Sequence, residues 1–290
     1  MLPVPDTVSG VSTRLGGVMP LRPLTLGELL DAAVVLLRER ARTLLVVGLI
    51  LSAAEQVLLF PLRRPLAADP PFYLPYVDRV GRFWLTFGLG FATEAAILAI
   101  LGGLSAVDAG PALLGTQQTA SEVWRAFARR LPAVLTLAVV VGLIVGASAF
   151  AAMLPWIFLY GLFGLAAPAL IIDHTGVFGA VGRGVVLGVR HGMRATWIRL
   201  LGYFGWLALR IALVYGAIAV VELVAPSTSE ELLVYGAAAS WLVINAVAYP
   251  MLACLDAVLY LETRMRSEAL DIVVGRALRA GRPVDLAAAR

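Results

Sequence analysis

The stretch LTFGLGFATEAAILAILGGL, residues 85–104, decides the fold class. Nineteen of its twenty residues suit a hydrocarbon environment, and the exception is Glu94. A helix needs about 20 mostly apolar residues to cross the hydrocarbon core of a bilayer. The stretch therefore predicts a membrane span that carries a carboxylate near its middle.

The rest of the chain repeats this pattern. Of 290 residues, 60% are hydrophobic and 14% are charged, and the mean hydropathy is +0.89. Soluble domains carry about 25% charged residues. The sequence therefore predicts an all-α, polytopic helical bundle. Six spans are expected, at residues 43–61, 84–104, 132–152, 155–172, 199–224 and 232–261.

The basic residues predict the orientation of the chain in the membrane. All 23 are Arg, and the formal net charge is +4. With the N-terminus inside, the inner segments hold 18 Arg and the outer segments hold 4. Positive charge concentrates on cytoplasmic loops, so both termini are expected to be cytoplasmic. This clustering at span ends favours anionic lipid headgroups as partners and not nucleic acid. The use of Arg without Lys indicates GC-rich coding, which favours a bacterial inner membrane.

The chain divides into three parts by composition. Residues 1–24 lack the apolar core of a signal peptide and are expected to form a flexible lead. Residues 25–262 form the predicted membrane domain. Residues 263–290 are expected to form a cytoplasmic helix and tail.

Short amphipathic helices are predicted before alternate spans, in segments 26–41, 119–131 and 177–196. Two of them begin with a capping box, in which a Thr is followed three residues later by a Glu. The pattern predicts a weak threefold repeat of one interfacial helix and two spans. The alternative is that any amphipathic helix entering a membrane has this appearance.

Small residues recur on the third predicted interfacial helix. Gly184, Gly188 and Gly192 are spaced four residues apart, which places them on one face of the helix. Glycines at this spacing let two helices approach closely. This face is expected to pack on a span and not to act as a hinge.

Residues for soluble-enzyme chemistry are scarce. The lone Cys254 excludes a disulfide within the chain, and the two histidines are His174 and His191. Asp173 adjoins His174, but no third metal ligand is evident. Nucleotide-binding, serine-hydrolase and zinc-protease motifs do not occur. No catalytic residue, metal or cofactor is therefore expected.

Polar residues inside the predicted spans are the main candidates for a site. Charged groups at the centre of a span are costly and usually find partners inside the bundle. Glu94 and Arg210 lie at similar depth and are expected to meet, with Glu55 one further hydrogen-bonding step away. The predicted buried polar network consists of Glu55, Gln56, Glu94, Arg210 and Asn245.

This network has two interpretations. It is either an ion pair that fixes helix packing or part of a path for a solute or proton. Packing is preferred, because no second unit carries an equivalent charge pair and no broken helix marks a substrate site.

Two segments resemble a known family. PLRPLTLGELLDAAVVLLRERARTLL begins at Pro20, and YPMLACLDAVLYLETRMRSEALDI begins at Tyr249. They resemble the opening and closing segments of the bacterial membrane domain found in front of some glycerophosphoryl diester phosphodiesterases. The resemblance covers roughly residues 20–280 and implies a multi-span domain of uncharacterised role. It does not bring the phosphodiesterase activity, which belongs to a soluble domain that this chain lacks.

The closing motif carries most of this resemblance. Glu262 stands where the family usually has Asp. Ala269 stands where it usually has Gly, which favours a continuing helix over a turn. Glu262 with Arg266, and Arg264 with Glu268, are expected to form surface pairs four residues apart on the helix. The residues of the motif are Tyr260, Glu262, Arg264, Arg266, Glu268 and Asp271.

Three functions remain open at this point. The preferred one is a non-enzymatic membrane domain with a structural or partner-binding role, whose inner helices meet a membrane or cytoplasmic protein. The second is a transporter for a small solute or lipid that uses the buried Glu/Arg network. The third is a membrane enzyme acting on a lipid headgroup near His174 and His191.

Overall fold

The computed structural model describes residues 19–66, 80–151 and 153–287. Residues 1–18 of the predicted flexible lead lie outside the described residues. The described residues contain helices and no strand. The helices are α1 Leu26–Glu39, α2 Ala41–Arg63, α3 Val80–Leu113, α4 Ala120–Ser148, α5 Leu154–Phe163, α6 Ala166–Ile172, α7 Val177–Val224, α8 Glu230–Glu268 and α9 Leu270–Arg279.

Six helical segments of the described chain are long and apolar enough to cross a membrane. They coincide with the six predicted spans, although most extend beyond the predicted bounds. The third ends earlier than predicted, at Ser148. The chain is an all-α, multi-pass membrane protein.

Helix α8 lies at the centre of the bundle. In its most apolar 18-residue stretch, 78% of the residues are buried. It packs against α1, α2, α3 and α7. The domain boundary expected after residue 262 falls inside α8, which continues to Glu268.

Helices α3 and α4 approach closely because glycines line their contact. A Cβ added at Gly142 would lie 2.8 Å from the carbonyl oxygen of Ala92, and one at Gly146 would lie 2.7 Å from Ala92 Cβ. Such small-residue contacts are typical of membrane helix pairs. They bring the carboxylate-bearing face of α3 into a fixed position in the bundle.

The first two predicted interfacial segments differ in the structure. Both predicted capping boxes are present, at Thr25 and Thr119. Helix α1 is separate from α2, with a break at Arg40, whereas segment 119–131 continues without interruption into the third span as α4. The expectation of a separate second interfacial helix is wrong, because Pro132 is accommodated inside the helix and no residue there adopts a non-helical backbone.

The first cap is also held by an ion pair. Arg22 donates hydrogen bonds to the Glu28 carboxylate, and the Thr25 backbone N–H donates to it as well. These contacts lower the pKa of Glu28 to about 2, with the Arg22 hydrogen bond as the largest cause. The Glu28 carboxylate at this cap therefore stays charged above a pH of about 2.

Helix α7 is sharply bent where the third interfacial segment meets the fifth span. Arg190, His191, Gly192 and Met193 have non-helical backbone angles, and the last three are left-handed. Gly184 and Gly188 pack against the fourth span, as predicted, near Ala166 and Leu162. Gly192 does not, because it has a φ of +68° and lies in the bend.

The fourth span has a short interruption in its middle. Helix α5 ends at Phe163 and α6 begins at Ala166, but Gly164 and Leu165 between them keep right-handed backbone angles. The segment Leu154–Ile172 is therefore a single span of 19 residues, and it does not contradict the expectation that no clearly broken helix marks a substrate site. Pro168 gives a local reason for the interruption, because it has no N–H to donate to the Gly164 carbonyl and its ring crowds that carbonyl.

Candidate functional site

Glu94 of α3 and Arg210 of α7 meet inside the bundle, as predicted. Arg210 Nη1 donates to Glu94 Oε1 at 3.1 Å, and the exposures of the two residues are 1% and 7%. The Tyr203 hydroxyl lies 3.4 Å from the second Glu94 oxygen and donates to it. Burial of this charge pair is tolerable because each partner offsets the other.

A chain of hydrogen bonds extends from this pair to Glu55. Arg210 Nη1 donates to Asn245 Oδ1 at 3.2 Å, and Asn245 Nδ2 donates to the Tyr249 hydroxyl at 2.9 Å. That hydroxyl donates to Glu55 Oε2 at 2.8 Å. Asn245 and Tyr249 thus connect Arg210 to Glu55. Glu55 was expected only one hydrogen-bonding step from the Glu94–Arg210 pair. We call Glu55, Glu94, Arg210, Asn245 and Tyr249 the Glu94 network.

Gln56 is not part of this network. It is buried, with 7% exposure, but neither amide atom has a hydrogen-bond partner among the described residues. The prediction that Gln56 belongs to the polar network is therefore wrong. It follows Glu55 on α2 and therefore points about 100° away around the helix. Thr93 supplies the second hydrogen bond to Glu55, at 3.0 Å.

A cavity of about 220 Å³ lies beside the Glu94 network. Arg63 at the end of α2, Phe87 near the start of α3 and Met153 before α5 line it, so it occupies the half of the bundle opposite α1. We call it the aromatic cavity because of its walls. Its aromatic residues are Phe87, Phe91, Trp156, Tyr203, Phe204, Trp241 and Tyr249.

Arg210 lines this cavity and has two hydrogen-bond donors without a partner among the described residues. Its Nε and Nη2 atoms are buried and have no hydrogen-bond partner among the described residues. A guanidinium offers donors in a planar fork that matches a carboxylate or phosphate. The Arg210 Cζ also lies 5.4 Å from the ring centroid of Tyr203 and 5.8 Å from that of Trp241. The site can therefore receive an acceptor group against Arg210 with apolar or aromatic groups around it.

A second buried charge pair lies nearer the α1 end of the bundle. Arg199 Nε donates to Asp256 Oδ1 at 2.7 Å, and the Arg199 Cζ lies 4.0 Å from the ring centroid of Tyr160. The expectation that no second unit carries an equivalent charge pair is therefore wrong. A signal was present: Arg199 and Arg210 are eleven residues apart on α7, as are Asn245 and Asp256 on α8. Eleven residues are about three helical turns, so each set shares one face.

The closing motif forms a buried ion cluster and not surface pairs. Arg264, fully buried, donates to Asp173 at 2.9 Å and to Glu268 at 2.9 Å. Arg183 of α7 bonds the same two carboxylates. Tyr260, also fully buried, has the Arg264 Cζ 5.9 Å from its ring centroid. The predicted pair of Arg264 with Glu268 exists, but it ties α8 to α7 and to the end of α6.

Glu262 anchors the other half of this motif. Its buried carboxylate accepts from Arg194 at 2.9 Å and also from Arg266. Both Arg side chains donate to the carbonyl oxygen of Leu24, which precedes α1. This contact fixes α1 on the end of α8. Asp271 makes no ion pair with a described residue.

Ala269 interrupts the helix, contrary to expectation. Its φ is 55° and its ψ is 36°, a left-handed conformation between α8 and α9. Left-handed geometry strains a residue with a Cβ and favours glycine. The turn that the family's glycine implies is therefore present even though the residue is alanine.

The two histidines lie in different segments, and neither belongs to a group of potential metal ligands among the described residues. His174, at φ 53°, follows α6, whereas His191, at φ 51°, lies in the bend of α7. No group of three or more His, Cys, Asp or Glu side chains that could hold a metal occurs in the part of the chain that the structure describes.

Comparison with known proteins identifies no relative of this chain. No protein-family model matches the chain. No curated protein and no solved structure matches it. The resemblance to the phosphodiesterase membrane domain therefore stays a prediction.

Proposed function

We propose that this membrane protein binds a small solute with a carboxylate-like group in the aromatic cavity and transports it across the bilayer. The observation that carries this proposal is a cavity inside the bundle that is lined by Arg210, two of whose buried nitrogens have no hydrogen-bond partner among the described residues. A purely structural ion pair would gain from full satisfaction of both partners, because an unmade buried hydrogen bond costs free energy.

The shape of the cavity limits the solute. At about 220 Å³ it is smaller than the roughly 300–1,000 Å³ of pockets for drug-sized ligands. Glu55 and Glu94 line it together with Arg210 and Arg63, so both signs of charge are present. Aromatic rings supply the remaining walls. A small zwitterion or a short carboxylate with an apolar part fits this chemistry.

The shape of the helices is not what supports this function. The interruption of the fourth span keeps right-handed backbone angles at Gly164 and Leu165, and the bend of α7 at residues 190–193 lies between the third interfacial segment and the fifth span. Neither segment lines the aromatic cavity. Transport is favoured over a packing role by the cavity and by Arg210 alone.

Ligand binding can be followed through Trp156 and Trp241, which line the cavity. The probes are propionate, alanine and propylamine at matched concentrations, added to the purified full chain. Propionate or alanine is expected to change tryptophan fluorescence and raise the melting temperature, and propylamine is not. The same active probe should then enter proteoliposomes in a counterflow assay.

A variant that fills the cavity tests the location. Gly90→Leu places a side chain at a cavity-lining position, and it should abolish both responses. Gly205→Leu is the matched control, because a Cβ at Gly205 meets no atom within 4 Å. Leu207→Trp is a second filling variant if Gly90→Leu lowers stability. Binding that survives in every filling variant, or the absence of binding by all three probes, would disprove the proposal.

The alternative function is a structural or partner-binding domain without enzymatic activity. The specific observation is on α9, where Leu270 and Val274 are buried while Ile272 and Val273 are exposed beside the ion cluster. Under this alternative, Ile272→Ser with Val273→Ser would reproduce the phenotype of gene deletion, and Gly90→Leu would cause no phenotype.

We further infer membership of the phosphodiesterase membrane-domain family from the closing motif, and a bacterial inner-membrane location from the Arg distribution.

A further inference from the structure

A larger cavity, separate from the aromatic cavity, lies at the α1 end of the bundle. Its volume is about 590 Å³. The end of α3, the first turns of α4, the end of α6 and residues 284–287 enclose it. We call it the Arg129 cavity. Nothing in the proposed transport function uses it.

The walls of the Arg129 cavity combine a basic rim with an apolar interior. Arg129, Arg130 and His174 line it together with Val107, Ile171 and Leu286. Neither Arg129 nor Arg130 makes a hydrogen bond or ion pair with another described residue, although most other Arg residues at this end of the bundle do. Asp285 is the only carboxylate residue of the described chain that lines the cavity. The charge of the lining therefore favours an anion.

The position of the cavity matches the depth of lipid headgroups. Arg129 and Arg130 immediately precede the apolar run of α4, and Ile171 and Ile172 end the fourth span. Basic pockets between membrane helices at this depth bind anionic lipid headgroups. The Gln118 Oε1 atom is buried at the same cavity without a hydrogen-bond partner among the described residues. A headgroup hydroxyl can donate to it.

We propose that the Arg129 cavity is a specific site for an anionic phospholipid. The phosphate pairs with Arg129 and Arg130, a headgroup hydroxyl donates to Gln118, and the upper part of an acyl chain contacts the apolar wall. Phosphatidylglycerol carries both required groups and is the committed probe. Phosphatidylcholine with the same acyl chains lacks both the net negative charge and the hydroxyls.

Native mass spectrometry of the purified full chain tests this site. Phosphatidylglycerol is expected to bind with higher occupancy than phosphatidylcholine. Arg129→Gln combined with Arg130→Gln should weaken phosphatidylglycerol binding by about tenfold, the scale of one charge-assisted hydrogen bond. Arg125→Gln is the control, because Arg125 lies on the same helix, bonds Ser121 and does not line this cavity.

A substitution that leaves the charge unchanged distinguishes lipid binding in the cavity from lipid attraction to a charged surface. Ala126→Trp fills the cavity from α4 and should cause a similar loss, whereas Ala128→Trp, which is not a lining residue, should not. A loss in Arg125→Gln equal to that in the Arg129→Gln and Arg130→Gln double variant would show general surface attraction and overturn the proposal. Competition by free glycerol 1-phosphate at the same concentration as the lipid would show a site for small anions and would also overturn it.

Discussion

The Arg210 side chain both connects helices inside the bundle and lines the aromatic cavity. One of its nitrogens donates to both Glu94 and Asn245, while two others have no hydrogen-bond partner among the described residues. Its side chain is 2% exposed and lines the aromatic cavity. The same residue therefore holds the helices together and presents a fork to a ligand.

Removing one partner of the Glu94–Arg210 pair should destabilise the protein more than removing both. Glu94→Leu leaves a buried guanidinium that cannot lose its proton, so it should cost about 3–5 kcal/mol in unfolding free energy. Arg210→Leu should cost less, because the remaining carboxylate can protonate. The double variant should recover much of the loss.

Chemical denaturation in mixed micelles measures these differences, with Gly205→Leu as a lipid-facing control. Equal stability of Glu94→Leu and the wild-type chain would mean that the pair does not contribute to stability. A double variant that is stable but does not bind propionate or alanine would fit the proposed solute site.

Gly164 should be intolerant of any side chain. A Cβ there would lie 1.8 Å from Arg199 Nε, an overlap that forces Arg199 away from Asp256. Gly164→Ala should therefore destabilise the protein by roughly the 3–5 kcal/mol that breaking a buried ion pair costs. Gly216→Ala, where a Cβ meets nothing within 4 Å, should be neutral or slightly stabilising. Comparable melting temperatures for the two variants would contradict the prediction.

At the scale of elements, the turn between α8 and α9 is strained because Ala269, which has a Cβ, adopts a left-handed conformation. Ala269→Gly should stabilise the protein by about 1 kcal/mol, because glycine adopts the left-handed conformation without a Cβ penalty. The same change at Ala277, inside α9, should destabilise it by up to about 1 kcal/mol. Thermal melts of the two variants should therefore shift in opposite directions, and shifts of the same sign would argue against strain at Ala269.

Helices and depths could be predicted from the sequence, but the bend of α7 could not. Apolar run length and Arg position located the six spans, and matched depth brought Glu94 to Arg210. The interruption at Gly164 was also readable, because Pro168 lies four residues further on. The left-handed residues 191–193 follow a segment whose Gly184 and Gly188 pack on the fourth span, and this packing is a tertiary effect that local patterns do not carry. The Arg199–Asp256 pair is different, because its eleven-residue spacing from Arg210 and Asn245 was readable.

At the scale of the whole molecule, buried charge pairs recur along α7 and α8, and each takes its Arg from one of these two helices. Arg210 with Glu94 lies in the half opposite α1, Arg199 with Asp256 lies nearer α1, and Arg264 with Asp173 lies at the α1 end. Together with Tyr160 and Tyr203, whose ring centroids are 4.5 Å apart, they form a polar line through an apolar bundle. A solute leaving the aromatic cavity toward α1 would meet Arg199 and Asp256 next.

The α1 end of the bundle is expected to face the cytoplasm. The sequence places 18 Arg residues in the predicted inner segments and 4 in the predicted outer ones, and only Arg and Lys near span ends set orientation. Many of the 18 are ion-paired in the folded bundle, but orientation is set during insertion, before these pairs form. Acidic partners therefore do not weaken the bias. Reporter fusions after residues 117 and 287 should give cytoplasmic signals, and a fusion after residue 228 should give an external one. An external signal at 287 with a cytoplasmic one at 228 would invert the bundle, and it would place the Arg129 cavity in the outer leaflet and the aromatic cavity toward the cytoplasm.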